Sequence, residues 1–244
     1  MKTIYLRIDD IGASTKKFEV YSKNRFANIL FLKYLKAFRA WGPYQELSSK
    51  EWEQAFEVLN KYNAKLTVGI TAAWVEKDCT LIPFPEKYPE QAELLKYASE
   101  NGLIEIANHG LTHCVVGSHL PRMFSSNRTY HREFWDWIPR DVHFEHLESS
   151  QKIFNDWLGV LPSSLIPPGN VYSADTLDAA EEYGIKMINS YINHNLENKV
   201  KIIDDVSIDP FHDRELVLYG VEWLEKKIKS YADDTNFNLL KEYK

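Results

Sequence analysis

The chain has 244 residues, of which 44% are hydrophobic and 26% charged, with a formal net charge of −6. This length suits one unit of alternating strands and helices, and residues 1–244 are expected to form a single domain. The acidic balance argues against nucleic acid as a partner, two cysteines cannot build a disulfide framework, and no run of about 18 apolar residues offers a transmembrane segment.

The chain runs from Met1 straight into Thr3-Ile4-Tyr5-Leu6-Arg7-Ile8, which reads as a buried strand with no secretory signal before it. A cytoplasmic protein is the expectation. That strand ends in Asp9 and Asp10, followed by Gly12. Ile29, Leu32, Leu35 and Phe38 predict a helix over Asn28 to Phe38, stopped by Trp41-Gly42-Pro43. Ser48 or Ser49 starts the next, with Trp52, Phe56 and Leu59 on one face. Lys65 to Ile70 is β-rich, and a proline-marked loop leads to a helix from Pro89 to Asn101 that Gly102 caps. Leu103 to Ala107 is the next strand, delivering Asn108-His109-Gly110-Leu111-Thr112-His113 at its end.

Cys114 to Val142 is polar and aromatic, with Tyr130, Phe134, Trp135 and Trp137, and reads as a long loop. A helix from Phe144 to Leu158 follows, then Ser164-Leu165-Ile166 into Pro167-Pro168-Gly169-Asn170. Asp175 to Tyr183 is helical, Ile185 to Ile188 a strand, and Val200 to Ile203 and Val206 to Ile208 two more. They precede Pro210-Phe211-His212-Asp213 and a last helix from Leu216 to Tyr231. Alternating strands and helices favour a parallel sheet, whose closed form carries active residues at the C-terminal strand ends.

His109 and His113 are four residues apart, a spacing that can bring two imidazoles to one ion but equally fits solvated or core histidines. Catalytic zinc takes three protein ligands, often two histidines and a carboxylate, with one position left open; Asp10 supplies the carboxylate. Adjacent Asp9 and Asp10 would repel in a dry cleft without a nearby cation, although a solvated turn or helix cap also explains them.

Ile8-Asp9-Asp10 resembles the first motif of the polysaccharide deacetylase family, and Glu105 to His113 resembles its second. Pro167-Pro168-Gly169-Asn170 and Phe211-His212-Asp213 are similar to its third and fifth. The resemblance implies a distorted (β/α) barrel, seven-stranded, and hydrolytic removal of an N- or O-acyl group from a sugar or glycan precursor. It also implies a divalent metal, zinc or else cobalt or nickel, on Asp10, His109 and His113. Asp9 would be the general base and His212 the general acid.

Two departures stand out. Ile166 occupies the place of the family's third-motif arginine, which orients the base, and no acidic fourth motif is recognisable around Asn189 to Asn193. Asp205 or Asp209 could replace it, although capping or solvation explains either. These departures leave two alternatives: hydrolysis of another C–N bond, in a formamide or cyclic amide, or metal and glycan binding without turnover. The loop of Tyr130, Trp135 and Trp137 could stack on a sugar, act as a lid or make a subunit contact. Cys114 is expected to point away from the ion, and His119, His131, His143, His146 and His194 to be surface or outer residues.

Overall fold

The computed structural model describes residues 2–19, 32, 35, 45–121, 128–191, 200–231 and 234–244. The helix expected over residues 28–38 and the turn after it lie outside these, apart from Leu32 and Leu35, as does His194.

Strand β1 (Lys2–Ile11) is buried almost throughout. After a short helix α1 (Thr15–Phe18) comes α2 (Ser49–Lys61). Ser48 and Glu51 form a reciprocal capping box at its start, satisfying two N–H groups that a helix otherwise leaves free. Trp52, Ala55 and Leu59 recur at helical spacing and form its buried stripe. Strands β2 (Leu66–Ile70) and β5 (Ile104–Asn108) are buried at every residue, as expected of parallel strands covered on both faces. Between them lie a hairpin, β3 (Ala73–Val75) with β4 (Leu81–Pro83), a single turn α3 (Phe84–Lys87), and α4 (Pro89–Glu100). The hairpin and α3 replace the expected loop: their pairing spans only three residues a side, too short for a sequence period.

Helix α5 (Arg140–Leu158) starts four residues earlier than expected, at a position where Pro139 lies just before the first turn. Then come β6 (Ser164–Leu165), α6 (Ala174–Glu182), β7 (Met187–Asn189), β8 (Lys201–Ile203) and β9 (Ile208–His212). The expected last helix is two, α7 (Asp213–Tyr219) and α8 (Val221–Lys229), and an unforeseen strand β10 (Thr235–Phe237) follows.

The main sheet is parallel throughout, in the order β10-β1-β2-β5-β6-β7-β8, with β9 also on β1. β10 pairs with residues 2–4 of β1 and β9 with residues 5–9, so these two share one edge and the sheet has seven positions. Among the described residues no pairing joins β8 to β9, which makes this the curled, distorted (β/α) barrel expected from the resemblance.

Outside the sheet, Ile4, Leu6, Ile8, Val68 and Ile106 pack against Trp52, Leu95, Leu224 and Ile228 of the helices. The inner face is polar. Glu105, 3% exposed, accepts from Thr67 at 3.1 Å and Ser164 at 2.5 Å. Backbone N–H of Lys241 also donates to it at 2.7 Å, so the C-terminal segment closes the lower end of the barrel. Burial raises the Glu105 pKa against these three donors. At the opposite end lie the termini of β1, β5, β6 and β9.

Candidate active site and metal centre

In an ideal strand neighbouring side chains point to opposite faces. Arg7 and Asp9 therefore share the inner face of β1, and Asp10 should leave it. The register between β1 and β2 slips between Ile8 and Ile11, and Asp10 has φ +70°, a left-handed conformation rare for a residue with a side chain. This bulge turns Asp10 back toward the ends of the neighbouring strands. His113 (φ +62°) and Asn170 (φ +57°) share the same backbone region, and such strain clusters at functional sites.

The result brings Asp10 Oδ1 to 3.3 Å from His109 Nε2 and 3.1 Å from His113 Nε2. Ligand atoms of the three residues all lie within 4.8 Å of one another, the span of one metal ion's coordination shell. His109 Nδ1 is 2.6 Å from the carbonyl of Ile166, which can only accept, so this nitrogen carries the proton. In the neutral tautomer that this bond selects, Nε2 presents its lone pair to the Asp10 carboxylate. Two acceptors face each other, an arrangement that a shared cation makes favourable; the donor set of two imidazoles and a carboxylate fits a divalent ion. Burial lowers the His113 pKa, with Asp10 opposing, which favours the neutral ligand form. Burial also acts to raise Asp10, but the two imidazoles, as donors when protonated, and the charges of His113 and His212 hold it well below the usual carboxylate range.

Asp9 is 4% exposed and its Oδ2 accepts from Arg7 Nη2 at 2.6 Å. Arg7, 1% exposed, is bracketed by Asn189 and by Asn170 Oδ1 at 3.2 Å. The arginine absent at Ile166 thus has a counterpart on β1, two residues before the acid it holds. Sequence reasoning passed over Arg7 because it sat inside a strand. The i, i+2 spacing was the available signal.

His212 pairs in register with Asp9, which puts the two side by side on adjacent strands. Glu215 Oε2 lies 3.8 Å from His212 Nδ1 and accepts the His212 N–H at 2.9 Å. The two acids considered for this task are engaged elsewhere: Asp209 with Lys227 at 2.6 Å and with Tyr231, and Asp205 with Tyr243 at 2.6 Å. Next to His212, fully buried Asp213 meets Lys16, which also contacts Glu46 at 2.5 Å. Burial works to lower the Lys16 pKa, but the two flanking carboxylates raise it and keep the ammonium charged. This ionic group ties α1 to α7 beside the site.

The loop of His109 to His113 is clamped from behind. Fully buried Glu133 accepts from the N–H of Leu111 at 2.9 Å and of Thr112 at 3.0 Å, and lies 2.6 Å from His146 Nδ1. Gly110 has φ +83°, and any side chain there would strike the Glu133 carboxylate. His119, His131, His143 and His146 are buried rather than superficial, since each finds a partner inside. Cys114, as expected, faces away, its thiol on Thr112 and its body against Phe18 and Val75. Of the aromatic loop, Phe134 is core, while Trp137 is 48% exposed and stands edge-on to Tyr130.

The polysaccharide deacetylase model matches residues 42–188, more than half of the chain. The chain belongs to the polysaccharide deacetylase family. The matched span holds His109 and His113, whereas Asp9, Asp10 and His212 lie outside it and reach the site through β1 and β9. No curated protein matches by sequence. Among solved structures the chain is similar to a family 4 acetyl xylan esterase from Clostridium thermocellum, described in complex with a cobalt ion. Identity there is 13%, coverage 99% of this chain and 89% of the other, and the TM-score 0.50. A peptidoglycan N-acetylglucosamine deacetylase gives 13%, 98% and 86%, and 0.51. A mutant of a CE4 family pseudoenzyme with restored enzymatic activity gives 12%, 99% and 66%, and 0.52. At such identities these likenesses speak for the fold.

Proposed function

We propose that this polysaccharide deacetylase family member is a metal-dependent hydrolase that removes an N-acetyl group from a sugar or glycan precursor. The observation carrying this reading is the convergence of Asp10, His109 and His113 beside an aspartate, Asp9, held by a buried arginine. Asp10, His109 and His113 would hold the cation, with zinc the expected ion and cobalt or nickel as alternatives. A divalent cation there supplies Lewis-acid polarisation of the acyl carbonyl and acidifies water.

The remaining work falls to side chains. Asp9 accepts the proton of the attacking water as general base, and Arg7 fixes which of its oxygens is free: Oδ2 is committed to the guanidinium, while buried Oδ1 has no hydrogen-bond partner among the described residues. His212, on the strand alongside, donates a proton to the departing amine nitrogen, a task suited to imidazole near neutral pH. Its ring is 42% exposed, which leaves it open to reprotonation from solvent.

Metal analysis of the purified protein together with acetate release from N-acetylated sugars tests this reading. His109→Ala or Asp10→Ala should abolish both metal retention and acetate release. Asp9→Asn should keep the metal and lose about 10²-fold or more in turnover, the usual contribution of a general base. Full turnover by Asp9→Asn would overturn the assigned base. Formate or ammonia in place of acetate would move the reading to another C–N bond.

A further inference from the structure

We propose that Arg132 recognises an anionic group, a carboxylate or a phosphate, carried by the substrate beside the bond to be cleaved; the reading of that bond rests on the function proposed above. Arg132 is partly buried and lies against the Pro168–Asn170 turn. Its side chain crosses Gly169 so closely that any residue with a Cβ there would occupy the space of its Nε. Gly169 also has φ +65°, so a glycine at that position is what seats the arginine. Next to it Asn170 contacts Arg7, which holds Asp9. The guanidinium thus borders the Asp9 side of the site.

Its hydrogen bonding stands apart among the described arginine side chains. Arg7, Arg140 and Arg214 each pair with carboxylates. Arg132 donates Nη1 to the neutral carbonyl of His131, and among the described residues no carboxylate pairs with it. The adjacent Glu133 is turned away, both oxygens engaged by Leu111, Thr112 and His146. A partly desolvated guanidinium without a counter-ion is unfavourable by itself, and its planar fork fits the two oxygens of a carboxylate or phosphate. The anion that completes it enters with the ligand.

The test uses the full chain loaded with zinc and three probes: N-acetylglucosamine, N-acetylglucosamine 1-phosphate and N-acetylmuramic acid. Dissociation constants are measured by ligand titration, and acetate release is measured separately. The wild-type protein is expected to bind one anionic probe at least tenfold more tightly than the neutral sugar, equivalent to about 1.4 kcal/mol. The preferred probe distinguishes phosphate from carboxylate. Arg132→Gln should bring that ratio close to one while retaining one equivalent of zinc, and Arg132→Lys should fall between. Equal affinities in the wild type, or an unchanged ratio in Arg132→Gln, would overturn the proposal. If Arg132→Gln does not fold, Arg132→Lys decides, because a ratio equal to wild type rules out the planar fork. Anion preference without acetate release would count against the hydrolase and leave the Arg132 assignment standing; release without preference does the reverse.

Discussion

Arg7 and Asp9 are 1% and 6% exposed at their side chains, and among the described residues each supplies the other's counter-charge inside the barrel. Removing one partner of such a pair leaves a charge in a medium that solvates it poorly, costing about 3–5 kcal/mol. Arg7→Gln should therefore lower stability by roughly that amount in denaturant titration and reduce acetate release, because Asp9 loses the contact that orients it. The double variant Arg7→Met with Asp9→Leu should be more stable than the sum of the single losses. Strict additivity in that cycle would show that the 2.6 Å contact contributes no coupling. Ile166 illustrates a related point at the same scale: its side chain offers nothing to the site, yet its carbonyl fixes the His109 tautomer.

At the scale of elements, two devices make the site. The bulge in β1 lets Asp10 turn to His109 and His113 while its neighbour Asp9 stays on the inner face, a pairing of directions that strand alternation alone does not give. The buried Glu133 carboxylate supports the ligand-bearing loop after β5 through two backbone N–H groups. Glu133→Gln keeps the size but can satisfy only part of this arrangement, since its amide nitrogen would face a donor N–H. The expected outcome is a loss of about 2 kcal/mol in stability and at least tenfold weaker zinc binding by competition with a chelator. Unchanged zinc affinity would make Glu133 a packing residue without influence on the ligands. The stretch from Cys114 to Val142 thus contributes a clamp in the core, while its exposed Trp137 remains the candidate for sugar stacking.

For the whole molecule, the buried histidines set the response to acid. Burial lowers the pKa of His113, His119 and His143, and pushes His131 down to about 3 despite its bond to the His119 carbonyl. In the unfolded chain each takes up a proton near pH 6.5. Between about 6.5 and 3 the unfolded state therefore binds more protons at His131 than the folded state, and folding stability falls as pH falls through that window. Above pH 7 both states are neutral at these rings and the effect vanishes. Urea midpoints measured with a chelator present should be flat above pH 7 and decline below 6.5, with a limiting slope of about 1.4 kcal/mol per pH unit for each histidine that stays neutral. His131→Gln should flatten that decline. An unchanged slope would mean that His131 is protonated in the folded protein.

The sequence by itself determined the alternation of strands and helices, the parallel sheet and the strand-end placement of Asp9, Asp10, His109, His113 and His212, because hydrophobic period and breaker residues are local properties. It also carried, in order, segments that resemble the first, second, third and fifth family motifs. Only the tertiary structure decided that Asp10 turns inward at a bulge, that Arg7 meets Asp9 inside the barrel, and that Glu215 rather than Asp205 or Asp209 faces His212. It likewise decided that Glu133 and Arg132, neighbours in the chain, turn to different partners, the loop of His109 to His113 and the turn at Gly169. Each of these depends on which strands become neighbours and in what register, and no local pattern encodes a contact between residues brought together by the closing of a sheet.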